Sequence, residues 1–281
     1  MARAFVLIRD KPHYRSESFV HGLRQHGYEA IIKTQLFPKM LASKDDIVIC
    51  WNAYGRYGEA RKLADAAGCR TFVAENGYLG QDSHGRQFYA LAEHGHTGSG
   101  RWRVGGVTRW EHFAAAQNVK LKPWRTEGRH ILVCAQRGIG EPNMRSPYGW
   151  EEQVQNTIRK TTDRPIKVRL HPGRHGEKVP LLEDLKDAWA CVVWSSNCTT
   201  TALLEGIPTF YAAPHIVHQG GALSLKGANL SDPKLGNRIL AFTNMTWAQW
   251  SVAELEKGMP WNFLLPVNDP EGTHWVGGYK G

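Results

Sequence analysis

Residues 190–211 limit the possible folds more than any other stretch. Ala190 to Trp194 is an apolar run of strand length, and it stops in Ser195, Ser196, Asn197, Cys198, Thr199, Thr200 and Thr201. A helix of about two turns then reaches Gly206. Pro208 opens a second strand, Thr209–Ala212. Strand, short helix, strand is a crossover unit, and crossover units build parallel sheets. A strand that ends in small hydroxyl residues at a helix N-terminus also gathers backbone N–H groups at one point. The helix dipole adds partial positive charge there, so the spacing predicts an anion site, with phosphate its usual occupant. The alternative is an ordinary N-cap, although the run of hydroxyls with Asn197 exceeds what one cap needs.

The same grammar extends along the chain. Ala4–Ile8 reads as a strand, Glu17–His26 as a helix, Tyr28–Lys33 and Ile47–Trp51 as strands, Glu59–Ala67 as a helix and Thr71–Ala74 as a strand. After Glu75 the pattern lapses for about 30 residues rich in Gly, His and aromatics, a length of irregular chain that is usually functional inside a compact domain. Thr108–Gln117 has a helical pattern, and Lys120 to Gly128 is polar and aperiodic, as a linker would be. Beyond it the strands His130–Ala135, Ile166–Leu170 and Ala190–Trp194 alternate with the helices Trp150–Lys160, Leu181–Lys186 and Thr200–Glu205. Arg238–Thr243 and Trp247–Lys257 close the chain as helical segments. The expected fold is α/β: two Rossmann-like domains, residues 1–122 and 128–281, facing across a cleft, with ligands bound beyond the carboxyl ends of the strands.

A chain of 281 residues fits one large domain or two small ones, and 42% hydrophobic content with 11 Trp is enough for real cores. It has no apolar run long enough to span a bilayer, and Met1 to Asp10 is too short and too soon charged for a signal peptide. Five Cys are scattered without CxxC spacing, and Cys50, Cys134 and Cys191, which lie in apolar runs, read as core thiols; a reduced, cytoplasmic setting follows. The 13 His form no HExxH or tight cluster, so no metal is expected. The net charge of +9 is uneven: residues 1–125 hold 19 Lys and Arg against 11 Asp and Glu, the remainder 16 against 15. A basic first half suggests an acidic partner, nucleic acid foremost, or else a merely soluble basic surface.

Five loops follow predicted strands and can converge on one cleft. Trp51-Asn52-Ala53-Tyr54-Gly55-Arg56 brings Asn52, Tyr54 and Arg56 toward that cleft. In Glu75-Asn76-Gly77-Tyr78-Leu79-Gly80-Gln81-Asp82, Glu75 stands at a strand end beside an Asn-Gly turn. A partly desolvated carboxylate there has its pKa raised toward general-base use; the alternative is a turn-stabilising carboxylate. Asp82 is the second candidate. Gln136-Arg137-Gly138 can bring a backbone and a guanidinium to a phosphate, or form a plain turn. In His171-Pro172-Gly173-Arg174-His175, Pro172 pins the backbone and aims His171 and Arg174; the alternative is a basic surface turn. The chain has no DxD motif, so the charge of a leaving phosphate falls to the helix terminus, Arg137 and His171. Finally, His94 to Gly106 reads as a flexible, basic, aromatic loop in which Arg101 and Arg103 track a nucleic-acid backbone, Trp102 stacks on a base and His96 hydrogen-bonds. An ordered lid is the alternative.

A strand followed by His171-Pro172, and some 25 residues later by strand, Ser/Thr run, helix and Glu205-Gly206-Ile207-Pro208-Thr209, resembles the second domain of GT-B glycosyltransferases. It looks most like the capsular polysaccharide Kdo transferases. The resemblance implies donor-nucleotide binding by the His-Pro and Ser-rich loops, with Glu205 at the end of the motif. It also implies a catalytic carboxylate in Glu75-Asn76-Gly77-Tyr78-Leu79. Asn76 departs from the acidic residue of that group. Glu75 to Gly106 and Trp247-Ala248-Gln249-Trp250 also resemble small putative glycosyltransferases of bacteriophages.

These readings together predict a metal-independent, GT-B-like glycosyltransferase that uses a nucleotide-sugar as co-substrate and no cofactor. Gln136, Arg137, Gly138, His171, Pro172, Arg174, Ser195, Ser196, Asn197, Thr199, Thr200, Thr201 and Glu205 would hold the donor. Glu75, Asp82 and His171 are the catalytic candidates, and Asn52, Tyr54, Arg56, Tyr78, His96, Arg101, Trp102 and Arg103 would contact the acceptor. The expected acceptor is a 5-hydroxymethylpyrimidine base in phage DNA, modified in the host cytoplasm. A surface polysaccharide is the alternative acceptor, and a non-catalytic nucleic-acid-binding protein of the same fold the alternative function.

Overall fold

A computed structural model describes residues 1–9, 11–37, 40, 44–142, 144–173, 179–266 and 272–278. The chain divides into two compact units: residues 1–109 with 245–281, and residues 110–244. This differs from the expected boundary at 122–128. The predicted linker belongs to the second unit, where the N–H of Lys122 donates to Leu204 O at 2.9 Å and that of Arg125 to Gly206 O at 2.7 Å. The Arg125 guanidinium also donates to the carbonyls of Leu185, Lys186 and Ala188. Gly206 is required at this approach: it has φ +75°, and a side chain would collide with the Pro123 carbonyl.

Unit 1 begins with β1 (Arg3–Leu7), α1 (Tyr14–Arg24), β2 (Glu29–Ile32), β3 (Ile47–Trp51) and α2 (Gly55–Ala66). It continues through β4 (Arg70–Gln81), β5 (Gln87–Glu93) and β6 (Arg101–Val104). β2, β1, β3 and β4 lie side by side and parallel. Their apolar runs feed two cores at once, because successive side chains point to opposite faces. Ala4, Val6, Ile47 and Ile49 pack with Phe19 and Leu23 of α1, while Phe5, Leu7, Val48 and Cys50 pack with Tyr57, Ala60 and Ala64 of α2.

The chain leaves unit 1 within α3 (Thr108–Ala116). In unit 2, β7 (His130–Cys134), α4 (Trp150–Ile158), β8 (Ile166–Arg169), α5 (Leu181–Leu185) and β9 (Ala188–Val193) follow one another. α6 (Cys198–Leu204), β10 (Thr209–Tyr211) and β11 (Leu223–Ser224) complete a parallel sheet of order β11-β10-β9-β7-β8. α4 covers one face through Trp150, Val154 and Ile158; Leu185 of α5 and Ala202 of α6 pack on the other.

The chain returns to unit 1 within α7 (Arg238–Trp247) and adds β12 (Gln249–Trp250), α8 (Val252–Glu256), α9 (Met259–Leu264) and β13 (His274–Gly277). The helix expected over Trp247–Lys257 is thus broken by a short strand paired to β5. It restarts at a capping box of Ser251 with Glu254. Trp250, Val252, Leu255 and Trp261 enter the same core as α1.

The irregular stretch expected after Glu75 is instead an antiparallel hairpin of β4 and β5, with β6 and β13 beyond it. The β4–β5 register shifts between Asn76 and Gln81, and Gln249 mends the gap. Its Oε1 accepts the Tyr78 N–H at 2.8 Å and the Leu79 N–H at 3.2 Å, while its Nε2 donates to Leu79 O at 2.8 Å. This buried amide replaces the missing ladder bonds. Replacing Gln249 by Ala leaves those backbone groups unsatisfied, and unfolding in urea is expected to show a loss of about 1–3 kcal/mol.

Candidate functional site

The parallel sheet of unit 2 reverses its strand order between β7 and β9, since the chain goes from β7 to β8 on one side and then to β9 on the other. Loops leaving a sheet at such a point part to form a crevice. A cavity of about 320 Å³ lies there, lined by Cys134 and Ala135 at the end of β7, by Leu170, His171 and Pro172 after β8, and by Ser196, Asn197, Cys198 and Thr201 after β9. The His-Pro and Ser-Ser-Asn loops therefore meet in space.

His171 is exposed, and its Nδ1 accepts the Gly173 N–H at 2.9 Å. That bond fixes the neutral tautomer and leaves Nε2–H as a donor. Partial desolvation, with the nearby Arg137 and Arg169 charges, lowers its pKa. Arg137 is exposed, and Gly138 takes the left-handed backbone at φ +64°. Arg169 lines the cavity wall but is paired with Asp184 and donates to Val179 O at 2.7 Å. Cys134 and Cys198 face the cavity as protonated thiols, because hydrogen bonding among Cys134, Cys191 and Cys198, together with burial, pushes their pKa up.

The free helix N-terminus expected here is absent. α6 is seven residues long. Its first N–H groups are already used: Cys198 donates to Ser196 Oγ at 3.2 Å, Thr199 to Ser196 O at 3.2 Å and Thr200 to Asn197 O at 3.0 Å. Hydroxyl residues close such turns locally in competition with outside acceptors. Thr200 Oγ1 donates to Asn197 Oδ1, and Thr199 is buried with its Oγ1 unpartnered. Ser195 is buried and its N–H is held by Gln136 Oε1 at 2.7 Å, so both support the loop and do not line the cavity. Glu205 is not part of the lining and pairs with Lys122 at 2.6 Å. Arg174 lies outside the described residues.

In unit 1, Glu75 sits within β4 and not at a strand end. Its neighbour Ala74 pairs with Trp51, the last residue of β3, so Glu75 still lies level with the carboxyl ends of the parallel strands. Burial raises its pKa, while the Asn76 N–H, 3.3 Å from Oε2, and the Arg15 charge oppose the shift. Sequence reasoning missed its surroundings. Arg15 stacks 4.8 Å from the Trp51 ring and donates from Nε to Tyr89 Oη at 3.2 Å. Arg15 follows β1, and the strand-end rule used for the other loops points to it equally.

Asp82 closes the β4–β5 turn. Its carboxylate accepts from the His84 and Arg86 N–H groups at 2.9 Å and from Arg86 Nε at 2.7 Å. Burial alone raises its pKa, but those bonds outweigh it and the pKa falls, which unfits Asp82 as a general base. Asn52, at φ +64°, accepts the Tyr54 N–H at 3.2 Å and shapes the entry to α2. Tyr54 is exposed, and Arg56 stacks on Tyr57. Tyr78 is buried, which pushes its hydroxyl pKa up.

The flexible basic loop is corrected most sharply. Residues 97–99 form a single 3-10 turn, and Arg101-Trp102-Arg103-Val104 is β6, paired to β13. Trp102 is 1% and Arg103 0% exposed, so the indole is not presented to a base. Arg103 donates to Phe263 O at 2.6 Å, and Arg101 stacks on Trp275 at 4.8 Å. Burial of the His96 imidazole lowers its pKa to about 4.

Among the described residues no three His, Cys, Asp or Glu groups could hold a metal ion, and no helix is long and apolar enough to cross a membrane. No protein-family model and no curated protein matches the chain. Solved structures do. The beta Kdo 2,4 transferase of KpsC from Thermosulfurimonas dismutans has a TM-score of 0.51 at 13% identity, over 88% of this chain and 89% of that one. The beta Kdo 2,7 transferase of the same KpsC has a TM-score of 0.53 at 10% identity, over 92% and 98%. At these identities the likeness is one of fold, a mixed α/β fold with parallel sheets shared with glycosyltransferase structures.

Two desolvated imidazoles, the half-buried His96 and the buried His218, make stability pH-dependent. His96 is held neutral down to about 4 and His218 down to about 3. The unfolded chain protonates both near 6.5, so it binds more protons below that value. Stability is therefore expected to fall as pH drops from about 6.5 toward 4, each group adding up to about 1.4 kcal/mol per pH unit. Urea unfolding at stepped pH measures it; a flat profile between pH 6.5 and 4.5 contradicts the assignment.

Proposed function

We propose that the chain is a glycosyltransferase that takes a sugar from a nucleotide-activated donor and passes it to an acceptor hydroxyl. The observation that carries this reading is the meeting of the His171-Pro172 and Ser196-Asn197 loops in one cavity at the strand-order reversal of the unit 2 sheet. The fold likeness to Kdo transferases supports it.

In this reading the donor phosphate enters the cavity of unit 2. His171 donates from Nε2, Ser196 and Thr201 offer hydroxyls, and Arg137 supplies positive charge at the rim. The bond between the sugar anomeric carbon and the phosphate oxygen breaks, and these groups stabilise the negative charge left on that oxygen. The chain has no DxD motif to hold a metal beside a diphosphate, and in this reading side chains meet that charge. Glu75 takes the proton of the acceptor hydroxyl as its oxygen bonds to the sugar. The burial that raises its pKa suits it to that task.

The acceptor we favour is a glycan hydroxyl. The DNA reading drew on the basic loop, and Trp102 and Arg103 are spent on the interior of unit 1. The solved neighbours are Kdo transferases, so activated Kdo is the first donor to try.

Calorimetry with a panel of nucleotide sugars, with and without chelator, tests the donor half. Binding unaffected by chelator is expected, and His171→Ala is expected to weaken it about 10-fold, the cost of one charge-assisted hydrogen bond. Binding to no member, or only with a divalent ion, overturns the proposal. Once a donor and acceptor are found, Glu75→Gln is expected to lower turnover about 10²–10⁴-fold with donor affinity preserved. Near-normal turnover removes Glu75 from the mechanism.

A further inference from the structure

The Ser195–Asn197 loop is gripped on two sides within unit 2. From the end of β7, Gln136 Oε1 accepts the Ser195 N–H at 2.7 Å. From the turn after β10, His218 presses on the loop. This imidazole is 1% exposed, stacks on Tyr211 at 4.5 Å with a 13° tilt, and lies 5.9 Å from the His215 ring. The backbone of Ser196 and of Ala213 lies against its nitrogens, and neither nitrogen makes an aligned hydrogen bond.

A buried imidazole without an aligned partner costs more than a phenyl ring of similar size would. The packing alone gives no reason for histidine at this position. Its neutral form carries one N–H, and that proton can serve Ser196 or Ala213 but not both. Ser196 is the one that lines the cavity. Catalytic and binding loops often complete their hydrogen bonds only once ligand is bound.

We infer that Gln136 and His218 are positioning residues that set the Ser195–Asn197 backbone from opposite sides. Gln136 fixes the Ser195 N–H, and His218 completes a bond to the Ser196 carbonyl when the cavity is occupied. The identity of the occupant, the phosphate of a nucleotide sugar, rests on the proposed function. The two-sided grip itself does not.

The test compares His218→Phe, which keeps the stacking on Tyr211, with His218→Asn and His218→Gln, which keep an N–H near the Nδ1 or the Nε2 position. Gln136→Leu and the Gln136→Leu/His218→Phe double variant complete the set. Two readouts are taken on the full chain: amide hydrogen exchange at residues 195–199, and affinity for the nucleotide sugar that binds wild type. His218→Phe is expected to speed exchange at 195–199 and weaken nucleotide-sugar binding about 10-fold, the worth of one completed hydrogen bond. Its thermal midpoint should stay equal to wild type or rise. One of the two amide variants should recover most of the affinity, and the double variant should fall short of the sum of the single effects. Unchanged exchange in both His218→Phe and Gln136→Leu overturns the grip. Faster exchange with unchanged affinity overturns its role in binding. If wild type binds no nucleotide sugar, the proposed function fails, and the exchange data alone decide whether the two residues hold the loop.

Discussion

Two guanidinium groups close the C-terminal end of α9. Arg70 of β4 donates to the carbonyls of Leu264 and Leu265 at 2.8 and 2.9 Å, and Arg103 of β6 donates to that of Phe263 at 2.6 Å. The last carbonyls of a helix lack partners within it, and the helix dipole makes that end attractive to cations. Arg103 is wholly buried, and its charge is met by this carbonyl and by the ring faces of Phe263 and Trp275. Glu93 steadies Arg70 at 2.6 Å. The final segment is thereby bound to the sheet laid down by the first hundred residues, and Trp250 and Trp261 fill the core beneath α1. Without that return, the core that α1 shares with the β1–β3–β4 sheet loses Trp250 and Trp261, whose ring packs edge-on 5.7 Å from that of Phe72.

The sequence displayed some of this and concealed the rest, for identifiable reasons. β3, β7 and β9 are buried on both faces, so they stand out as continuous apolar runs such as Ile47-Val48-Ile49-Cys50-Trp51. β4 beyond Ala74 offers Glu, Asn and two Gly, and nothing local marks it as a strand. Its continuity there depends on the amide of Gln249, a residue distant along the chain. The Arg-Trp-Arg of β6 read as a solvent-facing tip because composition does not reveal that carbonyls from α9 await the guanidinium. Tertiary contacts of high sequence separation override local reading at these places.

The candidate site divides in the same way. The His171 and Ser196 loops were legible because the chemistry sits at strand ends, and strand ends in a parallel sheet share one edge. The supposed anion-binding N–H groups were not, because a run of hydroxyl residues can close its own turn as readily as it can receive a ligand. Asp82 shows the same ambiguity. A carboxylate after a strand can be a base or a hinge pin, and only the count of N–H groups pointing at it decides. His218 could not be found from sequence, since its interest lies in being buried beside Ser196.

Unit 1 is built from two stretches of chain with all of unit 2 spliced between them. During synthesis the ribosome delivers residues 110–244 in full before Trp250 and Trp261 emerge. Unit 2, made of one uninterrupted stretch, has its whole sheet available while unit 1 still shows a partly covered apolar face. Contacts between β4 and α9 span almost 200 residues and are among the last that can form. A chain cut short just after α7 would carry a complete unit 2 beside a first unit that lacks its closing helices. It would be a substrate for chaperones and proteases.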